Sequence, residues 1–164
     1  MRTVVGVSMI VAAAALAGCG KHDTKTYTDN NGNSVAVSNS GDHMTMTGSN
    51  GEKVEVGGNQ DLSGKLPAYL PMYPGGQVKS SVFGNAKDGN SGMVMFHTKA
   101  AAADVIAFYK GKAMAAGMSD AMDMNSGGTI LYAGNNDKTN QTVQVAATGS
   151  SDGTDVQLTW SSKK

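Results

Sequence analysis

From Thr26 to Trp160 the apolar residues recur mostly at every second position, in short segments separated by clusters of Gly, Asn, Ser and Asp. That alternation confines the chain to half-buried strands, because successive side chains of a strand point to opposite faces. Three turn signals come first, Asp29-Asn30-Asn31-Gly32, Asn39-Ser40-Gly41-Asp42 and Ser49-Asn50-Gly51. Between and after them stand Val35 and Val37, Met44 and Met46, and Val54 and Val56. The spacing predicts a meander of three or four short strands over residues 31–58. Its apolar side is thin, so the ribbon leans on the following domain or a partner, or stays disordered.

Residues 59–76 read as a linker and lead-in. All three prolines fall here, at Pro67, Pro71 and Pro74, and proline disfavours helix on its N-terminal side. Tyr69, Leu70 and Tyr73 are placed to pin this segment to a core. The main domain is expected over residues 77–162. Strands are expected over 78–83, 93–98, 118–124, 129–133, 143–148 and 156–160. The one helical pattern is the Ala-rich stretch 100–116, with Val105, Ile106, Tyr109 and Ala113 on one side. Gly117 falls where a left-handed C-terminal cap belongs, and Thr98 is a possible N-cap. The expected fold class is α+β: an antiparallel sheet with one helix packed on one face, preceded by a short N-terminal β-meander.

The chain starts differently. Arg2 is the only charge before Lys21, and Val4 to Leu16 is almost wholly apolar. A positive start, about a dozen apolar residues and small residues at the end describe an export signal, too short to span a bilayer as a helix. The tail Leu16-Ala17-Gly18-Cys19 resembles the lipobox of bacterial lipoproteins. The resemblance implies that residues 1–18 are removed and that Cys19 becomes an acylated N-terminus, with palmitate among its chains and residues 19–30 as a tether. Cys19 is the only cysteine, so the exported domain has no disulfide to form. Gly20 stands where an inner-membrane retention signal places Asp, which points to the periplasmic side of the outer membrane in a Gram-negative cell.

A second resemblance rests on Tyr73-Pro74-Gly75-Gly76, Val94-Met95-Phe96-His97-Thr98 and Val105-Ile106-Ala107-Phe108-Tyr109, with Gly117 eight residues on. Over residues 66–160 these are similar to a domain of small exported bacterial lipoproteins, most of unknown function. The resemblance implies a fold and no catalytic residues. Where those proteins commonly have an aromatic after the helix-ending glycine, this chain has Met118.

Composition removes several functions. One of the thirteen basic residues is Arg2, so twelve lysines face thirteen acids in the mature chain. No basic field exists for nucleic acid. The chain lacks a Gly-x-Ser-x-Gly elbow, a His-Glu-x-x-His pair and a dinucleotide-binding glycine turn. Gly58 to Lys65 imitates the end of a phosphate loop, but Asn59 and Leu66 break the pattern. Asp29 to Asn33 imitates a calcium loop without its distal Glu. Asp120 and Asp123 read as solvated surface. No enzyme and no resident cofactor are expected.

Eleven methionines are present, of which Met1 and Met9 fall in the leader. Two sets stand beside histidine: His43-Met44-Thr45-Met46 and Met93-Val94-Met95-Phe96-His97. Thioether sulfur with imidazole selects Cu(I) or Ag(I). Met93, Met95 and His97 share one face of a strand and, with Val94 and Phe96 in the core, that face points outward. Met44 and Met46 share a face that His43 does not. The competing expectation is that the ribbon covers the outer face of the sheet, packing Met44 and Met46 on Met93 and Met95 as flexible filler. Met114, Met118, Met122 and Met124 read as packing around the helix C-terminus. Two functions follow: a lipid-anchored binding or interaction module that meets an envelope partner through a strand edge, or a periplasmic Cu(I)/Ag(I) binder using Met93, Met95 and His97, with Met44 and Met46 as further ligands.

Overall fold

The computed structural model describes residues 24–38, 43–58, 62 and 64–163. The expected leader and Cys19 lie outside the described residues. Ten strands and one helix follow in chain order: β1 Thr24–Thr28, β2 Ser34–Ser38, β3 His43–Thr47, β4 Lys53–Gly57, β5 Gln77–Ala86, β6 Gly89–Thr98, α1 Ala102–Ala115, β7 Ser119–Ser126, β8 Thr129–Asn136, β9 Gln141–Ser150 and β10 Gly153–Lys163. All ten strands form one antiparallel sheet in the order β1-β2-β3-β4-β5-β6-β10-β9-β8-β7.

This corrects the expected fold class. Among the described residues 58% are strand and 11% helix, and the fold is not an α+β sheet-and-helix domain with a short meander ahead of it. The meander is the first four strands of the same sheet, because β4 pairs with β5 from Lys53 opposite Asn85 to Gly57 opposite Ser81. The physical reason lies in the backbone. A β5 edge left bare would present unpaired N–H and C=O groups, and the ribbon satisfies them while gaining a partner for itself. The Ser81 hydroxyl, buried in the seam, donates to the Gly57 carbonyl at 3.3 Å. Thr24–Thr28, read as tether, is the edge strand β1.

Pairing also lengthens strands that the pattern made short. β5 and β6 run ten residues each and β10 runs eleven. The β5 register slips between Val78 and Ser80, a bulge that lets Val78 and Ser81 both face the helix side.

Two faces result. Val94 and Phe96 of β6, Val156, Leu158 and Trp160 of β10, Val143, Val145 and Ala147 of β9 and Tyr132 of β8 are buried on one face. Val105, Ile106, Tyr109 and Ala113 of α1 cover part of it, over β8 and β9. Leu62 and Leu70 of the lead-in complete the core, and the Tyr73 ring stands edge-on to Phe108 at 5.1 Å. Each fully buried aliphatic or aromatic side chain stabilises the fold by about 1.5–3 kcal/mol.

The helix begins at Ala102, with Ala101 at the N-cap position and no side-chain cap, so Thr98 does not serve. Its hydroxyl instead lies 3.4 Å from the Ala100 N–H. The far end is a Schellman motif: Met118 N–H bonds to the Ala113 carbonyl, Gly117 N–H to that of Met114, and Gly117 sits at φ +76°. Met118 is buried there.

The opposite, outer face carries a second apolar surface. Directly opposed residues share a face, and Val37, Met44, Val56, Val82 and Met93 form one row across β2 to β6. Tyr27, Val35, Met46 and Val54 form the next. On β7, Met122 and Met124 lie opposite Ala133 and Leu131, also on the outer face, and are 52% and 50% exposed. They do not pack around the helix end. Of the expected group only Met118 does so, while Met114 is exposed. The apolar side of the sheet thus changes over between β4 and β6.

Candidate functional site

On the helix face, α1 and the lead-in leave one amphipathic groove, about 260 Å³, beside the β5–β6 hairpin. It is lined by Lys53 and Glu55 of β4, Gly64 and Lys65 of the linker, Phe83, Gly84 and Asn85 of β5, Asn90 and Ser91 of β6, and Trp160 of β10. Strand register positions each part. Glu55 lies opposite Phe83, Phe83 opposite Gly92, and Gly92 opposite Trp160. Gly92 has no side chain, so the Trp160 ring folds over it, 5.8 Å between centroids from Phe83. The two rings form an apolar wall.

The opposing side is charged, with Lys53 beside the Glu55–Lys65 pair. Lys65 Nζ donates to Glu55 Oε2 and sits 5.3 Å from the centre of the Phe83 ring, a cation–π distance. That hydrogen bond holds the Glu55 carboxyl below its ordinary value, against the opposing effect of burial. An apolar wall with a few convergent polar groups is the usual constitution of a small-molecule site. A wider depression, about 450 Å³, lies at the other end of β6 beside His97. Its walls are the Pro74-Gly75 turn and the β6–α1 connection, without a comparable aromatic pair.

The residues singled out in the sequence fall as follows. Met93, Met95 and His97 do share the outer face of β6, with Val94 and Phe96 buried behind them and Met95 42% exposed. Met44 and Met46 are on the same face but on β3, three strand spacings away, about 14 Å. The structure therefore does not bring the two methionine pairs together. The ribbon extends the sheet in its plane and leaves the outer face uncovered by the described residues, which overturns the expectation that Met44 and Met46 pack on Met93 and Met95. The His97 ring turns toward β10. Its Nδ1 is 3.1 Å from Asp155 Oδ1, and Nε2 faces Gly153. Lys79 Nζ donates to the same Asp155 oxygen at 2.8 Å. Asp155 is held below the ordinary carboxylate value by Lys79 first and His97 second. His, Cys, Asp and Glu side chains form no group of three around one point among the described residues. Cys19 lies outside them.

Asp120 and Asp123 are not simply solvated. Lys110 of α1 donates to both, at 2.8 and 3.0 Å, clipping the helix to β7. Sequence reasoning missed the groove. Phe83 and Trp160 were visible as alternating strand residues, but nothing local signals that a glycine between them lets the rings approach, or that Lys65 reaches Glu55 across the linker.

Residues 78–157 match a family model described as START domain-like. The match runs from β5 through α1 into β10, and it includes Phe83, Asn85, Asn90 and Ser91 of the groove. No curated protein and no solved structure matches the chain. Among the described residues no helix is long and apolar enough to cross a membrane.

Proposed function

We propose that the chain is a lipid-anchored exported protein of the bacterial envelope whose folded part is a non-enzymatic binding module. Its ligand is a small amphipathic molecule, apolar body against Phe83 and Trp160 and polar head toward Lys65, Asn85 and Asn90. The groove carries this reading: two rings facing a set of hydrogen-bonding groups in one concavity. The START domain-like match is compatible with it, since that description suggests a ligand-binding module. A carboxylate lowered by a bonded ammonium is a weak base, so the Glu55–Lys65 pair suits recognition better than proton transfer. Attachment at Cys19, on the outer membrane, rests on the lipobox-like tail and on the absence of any other cysteine.

Trp160 is the only tryptophan, so its emission reports on the groove directly. Titrating the protein with 1-anilinonaphthalene-8-sulfonate and with fractionated envelope small molecules should change that emission saturably. Phe83→Ala and Lys65→Ala should each weaken the effect about tenfold, the usual cost of a lost contact in a packed site. A response untouched by both variants, in protein whose circular dichroism is unchanged, sinks the groove. Palmitate labelling that persists in Cys19→Ala sinks the anchor.

A further inference from the structure

The outer face of β1 to β6 needs an occupant. Its rows hold Val37, Met44 and Val56, then Val35, Met46 and Val54, with no carboxylate at an outer-face position of β1 to β4. Asp29 and Glu52 are in turns and Glu55 is on the helix face. The one charge at an outer-face position of β1 to β4 is Lys25, on the edge strand with Tyr27, which is 63% exposed. Apolar side chains bordered by lysine and tyrosine make up the usual surface that settles into a lipid headgroup boundary.

Chain length points the same way. Four residues, Gly20 to Asp23, lie between the proposed lipid-bearing Cys19 and Thr24, the start of β1, so five Cα steps join the two. Fully extended they span at most about 17 Å. The edge strand is therefore held close to the bilayer, and a longer tether is not available to lift the ribbon away from it. We infer that the outer face of the β1–β6 half of the sheet rests on the membrane surface, leaving the Phe83–Trp160 groove on the opposite face, turned toward the aqueous side. The inference rests on the anchoring of Cys19. The polar Lys79–Asp155–His97 cluster lies on the outer face too, but two positions beyond Met95 on the far rim of the apolar patch.

Methionine oxidation by hydrogen peroxide, read by peptide mass spectrometry, tests this. The lipidated protein is reconstituted in vesicles of phosphatidylethanolamine with a minority of phosphatidylglycerol. The reference is dilute Cys19→Ala protein exported behind an ordinary secretory signal. Met44 and Met46 should oxidise at least about threefold more slowly on vesicles, as expected for side chains buried at the headgroup boundary. Met114, on α1 beyond the opposite face and 57% exposed, should be unchanged. Equal rates in both samples overturn the inference. So does protection already present in the reference and lost on dilution, which identifies a second copy as the occupant. The intact mass of the reconstituted protein settles the anchor separately. A chain without lipid sinks the anchoring of Cys19, and protection of Met44 on vesicles added to Cys19→Ala protein then decides for or against the membrane face.

Discussion

Gly92→Ala tests the packing that shapes the groove. A Cβ built on Gly92 meets Trp160 Cζ2 at 2.2 Å, Cη2 at 2.5 Å and Cε2 at 2.8 Å. Carbon atoms pack best at about 3.5–4.0 Å, so the indole must retreat by more than about 1 Å. It has little room, being 4% exposed and set against Phe83. Overpacking of this kind costs about 1–3 kcal/mol. For a chain of this length that lowers the melting temperature by about 3–10 °C. Thermal unfolding by far-UV circular dichroism gives the shift, and Trp160 emission should move to longer wavelength as the ring is pushed toward solvent. In the double variant Gly92→Ala/Trp160→Leu the clash is removed, so the two effects should be non-additive by about 1 kcal/mol or more. A Gly92→Ala protein that melts with the parent and keeps its emission refutes the ring-over-glycine packing, and with it the aromatic wall.

Two further expectations concern the helix cap and the acid limit of stability. Gly117→Ala forces a Cβ into φ +76° at the Schellman cap and should destabilise by about 1–2 kcal/mol, measured by urea unfolding; an unchanged midpoint contradicts the cap. The carboxyls of Asp29, Glu55, Asp120, Asp152 and Asp155 are all held below their ordinary values, chiefly by hydrogen bonds from Asn33, Lys65, Lys110, Ser150 and Lys79 respectively. A depressed carboxylate stabilises the fold above its unfolded value and loses that contribution as pH falls through the folded one. The urea midpoint should therefore hold from neutral pH to about pH 5 and fall below about pH 4, and a midpoint that rises on acidification contradicts the pairings.

Local signals in the sequence were reliable and long-range ones were absent. Alternation located every strand core from Val35 to Trp160. The Ala-rich run and Gly117 located the helix and its end, with Met118 buried beyond it. The faces of β6 followed from Val94 and Phe96 against Met93 and Met95. The joining of β4 to β5 was not legible, because nineteen residues separate Gly57 from Gln77 and either strand pattern is compatible with an open edge. The same holds for Lys79 with Asp155, a contact 76 residues apart in the chain. Met122 and Met124 were misplaced for a related reason. Periodicity shows that two residues share a face, yet not which face, and only the pairing of β7 with β8 sends them outward.

The reversal of apolar side along the sheet ties these observations together. In β6, β8, β9 and β10 the alternation feeds a core that α1 and the lead-in close, and the groove lies on that side. In β1 to β4 the same alternation feeds the other face, while the helix side there carries Thr26, Thr45 and Glu55. A one-residue slip of β4 against β5 would flip the whole ribbon, bringing Val54 and Val56 to the core side. The observed register instead pairs Glu55 with Phe83, which places the carboxylate where Lys65 meets it. The pairing that builds the groove is thus the same pairing that leaves Val54, Val56, Met44 and Met46 outward. A shift in that register would abolish both surfaces together, so loss of the groove with retention of the Met44–Met46 face, or the converse, would show that the two are set by different contacts.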